Sequence, residues 1–117
     1  MRAIIAGFGR VGSRTARVLD EEGHDVTLVE NVPEKAERAE SRGFDVVHGD
    51  AAQQTVLAGA GADTADAVAG LTGDPTTNFE ICSLATDHDC RTVMRLSEDV
   101  PDQIYDEYES VVDEVIY

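Results

Sequence analysis

The chain has 117 residues and a formal net charge of −15, from 24 Asp and Glu against 9 Lys and Arg. That length corresponds to one domain, residues 1–117, with a core of its own, and leaves no room for a separate substrate domain. No apolar run approaches the about 18 residues of a membrane-spanning helix, and Ala3-Ile4-Ile5-Ala6 is too short for a signal segment. The expectation is a soluble, cytoplasmic domain.

So acidic a chain suits neither DNA nor anionic membranes, which require clustered Lys and Arg, and nucleic acid is excluded as a partner. Regular apolar segments without long like-charge blocks indicate a folded protein. The surplus carboxylates fit a high-salt cytoplasm, where a Debye length of about 3 Å at 1 M screens self-repulsion. Cys82 and Cys90 form no Cys-x-x-Cys pair and are read as reduced thiols. With His88 they match no zinc spacing, so no metal site is expected.

Apolar runs and helical stripes alternate along the chain. Ala3-Ile4-Ile5-Ala6 reads as a strand buried on both faces. Arg10 to Glu22 reads as a helix with Val11, Thr15, Val18 and Leu19 on its inner face, ended by Gly23. Val26–Val29 is the second strand. Pro33 opens the second helix, with Ala36 and Ala39 inward and Gly43 at its end. Phe44–His48 is a third strand. A helix over Ala52–Ala60 follows, with Ala52, Val56, Leu57 and Ala60 aligned, then a strand over Ala65–Leu71. Asp74-Pro75 caps and opens a helix running to Thr86, with Ile81, Cys82 and Ala85 facing inward. Thr92–Leu96 is the fifth strand. Pro101–Glu109 is a short helix carrying Ile104 and Tyr108, and Val111–Tyr117 is the last strand.

Strands joined by helices are parallel with right-handed crossovers. The fold class is therefore α/β, a Rossmann-like doubly wound parallel six-stranded sheet of order 3-2-1-4-5-6. Its ligand site is expected at the carboxyl ends of the strands, between strands one and four.

Gly7-Phe8-Gly9-Arg10-Val11-Gly12 is G-x-G-x-x-G in the context that motif requires, after a buried strand and opening an amphipathic helix. Gly7 permits the turn out of the strand, Gly9 lets the backbone approach a pyrophosphate, and Gly12 lets the helix lie close to the sheet. The helix N-terminus offers N–H groups and a positive dipole end to phosphates. Glu30 ends the second strand, 18 residues after Gly12, where a carboxylate accepts ribose hydroxyls. It would repel a 2′-phosphate, and no Arg follows at once to receive one, so NAD(H) or an adenine nucleotide is favoured over NADP. Asp50 and Thr72 lie on the same carboxyl edge. Arg95, in an otherwise apolar run, is read as a phosphate contact rather than a buried structural pair. Arg10 clamps a phosphate or is solvated. His24 and His88 are expected to be solvated and His48 structural. No nucleophile–base pair emerges.

Arg2–Gly12, Leu28-Val29-Glu30, Gly49-Asp50-Ala51, Leu71-Thr72, Thr77-Asn78 and Met94-Arg95-Leu96 together resemble the TrkA N-terminal domain, the N-lobe of the regulator of potassium conductance (RCK), over essentially the whole chain. The resemblance implies a regulatory domain rather than an enzyme. It implies binding of NAD(H), first in preference, or of ATP, ADP or AMP, with a potassium channel or transporter as membrane partner and pairing into homodimers or larger homo-oligomers. By that resemblance Gly7, Phe8, Gly9, Arg10 and Val11 hold phosphates and Glu30 the adenine ribose. Asp50 and Ala51 line the adenine side, while Leu71, Thr72 and Arg95 close over the distal part of the ligand. Two places depart from the family pattern. Gly73 and Pro75 interrupt the acidic run after Leu71-Thr72, and Glu109–Asp113 replaces a Gly-Ala-Asp turn. With Tyr117 as its last residue, the chain is expected to be this lobe without the family's C-terminal lobe. The alternative function is a fragment of an NAD-dependent oxidoreductase, which would need a catalytic Lys, His or Tyr beside the nicotinamide.

Overall fold

The computed structural model describes residues 1–97 and 99–117. Six parallel strands form one sheet: β1 (Arg2–Ala6), β2 (Asp25–Glu30), β3 (Asp45–His48), β4 (Ala67–Gly70), β5 (Arg91–Arg95) and β6 (Glu114–Ile116). Their order is β3-β2-β1-β4-β5-β6, as the strand–helix rhythm predicts. The connecting helices are α1 (Arg10–Glu21), α2 (Pro33–Ser41), α3 (Gln54–Gly59), α4 (Pro75–Ala85) and α5 (Asp102–Glu109).

Successive residues of a strand point to opposite faces, and β1 buries both. Ile5 joins Ala16 of α1, Leu28 of β2 and Ala39 of α2 on one side. Ile4 and Ala6 join Leu57 of α3, Val68 of β4 and Ile81 of α4 on the other. A third cluster seats α5 against the sheet through Cys82, Met94, Leu96 and Val112, with Tyr105 and Tyr108 against it. The reversal point therefore lies between β1 and β4, which pair from Ala3↔Ala67 to Ala6↔Gly70.

Two aspartates fasten the amino-terminal edge of the sheet. Asp66 accepts the Arg2 N–H at 2.7 Å, and Asp113 accepts the Thr92 N–H at 2.8 Å. Each stands just before a strand and holds the first part of the neighbouring one. This shortens two predicted strands. Residues 65 and 66 precede β4, and residues 111–113 form the turn into β6, with the Asp113 N–H donating back to Thr92 Oγ1 at 3.0 Å. The last strand thus enters through an Asp-anchored turn despite its departure from Gly-Ala-Asp.

Other expectations need correction. Val18 is 44% exposed, and α1 instead buries Gly12 and Ala16. Two residues advance a helix by about 200°, so a line of contact through Ala16 turns Val18 outward. Ile104 is 40% exposed, while Tyr108 packs against the core together with Tyr105. α3 starts at Gln54 rather than Ala52 because the Asp50 carboxylate takes the Ala52 N–H at 2.9 Å, holding a turn before the helix. His88 is not solvated: its side chain is 9% exposed, Nδ1 meets Asp63, and Nε2 is buried without a partner. His24 is half-buried, with Nδ1 3.0 Å from the amino terminus. His48 pairs with Glu40 at 2.9 Å on the surface.

Candidate functional site

The loop between β1 and α1 is shaped by its glycines. Gly7 has φ +102°, and a Cβ there would meet the Leu71 and Thr72 backbone at 3.1 Å. A Cβ on Gly12 would lie 2.0 Å from the Gly7 carbonyl oxygen, so only glycine permits this approach of helix to strand. A Cβ on Gly9 would meet nothing within 4 Å, which leaves the backbone there open to a ligand. Gly9 caps α1 without a side-chain hydrogen bond, and the first turn carries no acid. Its N–H groups and positive dipole end are uncompensated, the condition for an anion site.

Glu30 is 7% exposed rather than a solvated strand end. Its Oε1 accepts the Phe8 N–H at 2.7 Å and its Oε2 accepts the Val32 N–H at 2.9 Å. One carboxylate thereby ties the glycine loop to the entry of α2. The Phe8 N–H is engaged by this contact and not offered to a phosphate. The Phe8 ring is buried edge-on to Phe44, with the Arg42 guanidinium 5.7 Å from its centroid.

Gly7, Glu30, Thr72 and Gly73 divide two adjoining cavities of about 250 and 240 Å³ at the carboxyl edge. The first contains Asn31, Asp50, Ala51, Asp74 and Thr77 and carries three carboxylates with Glu30, but no cation. The second contains Phe8, Gly9, Arg10, Val11, Leu71 and Arg95, together with Lys35. The cleft therefore has an acidic, polar compartment and a cationic one over the N-terminus of α1.

All the residues singled out in the sequence reach this cleft except Gly12, which lies beneath it as the contact of helix and strand. Arg95 faces the cationic compartment, and its Nε is buried without a partner. That orphaned donor and the open backbone at Gly9 fit a phosphate-bearing ligand. Asn78, which the sequence marks only as half of Thr77-Asn78, is fully buried and braces the cleft. Its Oδ1 accepts the Thr72 N–H at 2.9 Å, and its Nδ2 donates to the Thr72 and Arg95 carbonyls, both at 3.0 Å. Asp74 caps α4 as expected, accepting the Thr76 N–H at 3.0 Å. Lys35 was missed, although its place five residues after Glu30, in the first turn of a Pro-led helix, was a usable signal.

Cys82 and Cys90 are free thiols, as expected. Burial pushes the Cys82 thiol up to about 12, while it donates to the Val93 carbonyl at 3.3 Å. Among the described residues no group of His, Cys, Asp and Glu could hold a metal ion, and no helix is long and apolar enough to cross a membrane.

A glycine loop under a helix N-terminus, a carboxylate ending β2 and a cleft at the sheet's reversal point define an α/β domain of the Rossmann type. More particularly, the chain belongs to the TrkA-N domain family, whose model matches residues 3–117. It is 39% identical over 110 residues to a Trk system potassium uptake protein TrkA homolog of Pyrococcus abyssi, covering 92% of this chain and 48% of the relative. The chain thus spans about half the length of that relative. Among solved structures it resembles the Kef C-terminal domain of Shewanella denitrificans in its AMP-bound form. That match has 26% identity and a TM-score of 0.79, over 100% of this chain and 72% of that one. It also resembles the NAD(P)-binding domain of an exopolyphosphatase-related protein of Archaeoglobus fulgidus. There the identity is 26% and the TM-score 0.82, over 97% and 85% of the two chains.

Proposed function

We propose that this chain is the nucleotide-sensing lobe of a cytoplasmic regulator of a potassium channel or transporter, that it binds NAD(H) or an adenine nucleotide, and that it pairs with a second copy. The observation that carries the reading is Glu30, buried with both oxygens on backbone N–H groups, at the junction of an acidic and a cationic compartment. Asp50 and Ala51 receive the base, Glu30 the ribose hydroxyls, and the backbone of Gly9 to Val11 with Arg95 the phosphates. TrkA and Kef relatives support the link to potassium transport.

Regulation rather than catalysis is supported by the relatives, which are a potassium uptake protein and a Kef C-terminal domain; of the Lys, His or Tyr that hydride chemistry would require, the lining offers Lys35. A ligand can bias such a lobe only by its differential affinity for two arrangements. Ribose hydroxyls that engage Glu30 act on the one group linking the glycine loop to α2. That makes the β1–α1 and β2–α2 turns the elements through which occupancy is felt.

The test is calorimetric titration in molar KCl with NAD⁺, NADH, ATP, ADP and AMP, on the parent protein and on Glu30→Gln and Glu30→Ala. Binding of at least one nucleotide is expected, weakened about tenfold or more in the variants by loss of a charged acceptor. A folded parent protein that binds none of the five overturns the assignment.

A further inference from the structure

The cationic compartment carries more positive charge than a dinucleotide needs. Arg10, Lys35 and Arg95 line it, three of the nine cations of a chain that carries 24 carboxylates. None of them takes part in the ion pairs among the described residues. The single carboxylate that faces them, Glu30, is already bonded at both oxygens. The N-terminus of α1 adds about half a unit of positive charge. Lys35, the only lysine, enters half-buried from α2 on the β2 side, while Arg95 enters from β5, with β1 and β4 between them.

A bridging pyrophosphate, esterified at both ends, holds one negative charge per phosphate. A terminal phosphomonoester holds about 1.5 to 2 at neutral pH. Three cations over a helix N-terminus therefore favour a ligand that ends in phosphate.

On the nucleotide reading given above, we propose that Lys35 is a specificity residue whose ammonium holds the terminal phosphate of adenosine di- or triphosphate, so that the cleft selects these over NAD(H). The other source of a monoester, a 2′-phosphate on the ribose, is opposed by the Glu30 carboxylate, which stands where the ribose must lie.

The experiment is titration of ATP, ADP, AMP, NAD⁺ and NADP⁺ at one fixed ionic strength, against the parent protein, Lys35→Met and Lys35→Arg, with circular dichroism as the check of folding. The parent protein should prefer ADP and ATP to NAD⁺. Lys35→Met should lower the ADP-to-AMP affinity ratio about tenfold, the size of one charge-assisted contact, and Lys35→Arg should restore much of it. An unchanged ratio in a folded Lys35→Met, or a parent protein that prefers NAD⁺, overturns the role of Lys35 and leaves the nucleotide site standing. Tight NADP⁺ binding that alone depends on Lys35 moves the monoester to the ribose and also overturns it. No binding of any nucleotide to the parent protein removes the site itself.

Discussion

Two glycines three residues apart, Gly9 at the cap of α1 and Gly12 in its first turn, should respond oppositely to the same added methyl group. At Gly12 the new Cβ falls 2.0 Å from the Gly7 carbonyl oxygen and 2.8 Å from its carbon. Both are backbone atoms, so no side chain can turn aside. Restoring ordinary contact at 3.4 Å requires α1 to lift by about 1.4 Å, which loosens Ala16 from Ile5 and Leu28. Overpacking of this kind costs about 3 kcal/mol, and the better helix propensity of alanine returns about 1. Gly12→Ala should therefore lose about 2 kcal/mol, a fall in Tm of about 8 °C for a domain of this size. At Gly9 the methyl enters open space from an extended backbone, φ −86°. Gly9→Ala should unfold within about 0.5 kcal/mol of the parent protein, since restricting the unfolded chain offsets the poorer cap. Its loss should be in ligand affinity, because the methyl occupies the approach to the first turn of α1. Urea unfolding followed by circular dichroism, with AMP and ADP titrations on the same samples, reads both effects. A Gly12→Ala protein as stable as the parent, or a Gly9→Ala protein that binds nucleotide undiminished, would refute this account of the loop.

Asn78→Leu keeps most of the volume of the side chain but strands the Thr72 N–H and the Thr72 and Arg95 carbonyls. It should lose about 3 kcal/mol by urea midpoint, and a loss below about 1 kcal/mol would mean that water or a shifted loop replaces the amide. The Cys82 thiol, raised by burial from 9.0 to about 12, favours the protonated form in the folded state. Its contribution to stability is complete below pH 9 and is lost as pH rises towards 12. Unfolding midpoints should fall across that window more steeply in the parent protein than in Cys82→Ala, and parallel curves would contradict the assignment. At pH 8 a thiol reagent should label Cys90 first and reach Cys82 only on unfolding, because the buried thiol is almost wholly protonated.

Much of the fold was legible because local pattern and global topology agree. The double burial of β1 appears as an unbroken apolar run, and the glycine loop stands between a strand and a helix as its chemistry demands. The order of the sheet followed from the strand–helix rhythm together with right-handed crossovers. What escaped depends on residues distant in sequence. Asn78 looks like any polar residue in a helix, and its value lies in four groups supplied by Thr72 and Arg95. Lys35 looks like a solvated charge until α2 is placed beside the glycine loop. His88 lies at the end of a helical segment, where solvent is the usual neighbour, but Asp63, 25 residues away, folds over it. Val18 shows the limit of periodicity, since four apolar positions define a stripe but not the line along which a helix touches its sheet. Glu30 ends β2 as its place in the sequence indicated, yet its hold on two backbone N–H groups comes only from the meeting of two loops.

Asp66 and Asp113 lie at the opposite edge of the sheet from the cleft, but they help set where the cleft's residues stand. Each fastens the start of one strand to its neighbour, so β4 cannot slide on β1, nor β6 on β5, without breaking a carboxylate contact. A five-residue strand is about 16 Å long, and a slip of one residue would turn every side chain to the other face. Arg95 would then leave the cleft and Met94 would enter it. The dimensions that a nucleotide meets are thus calibrated from below, by two acids that never touch it.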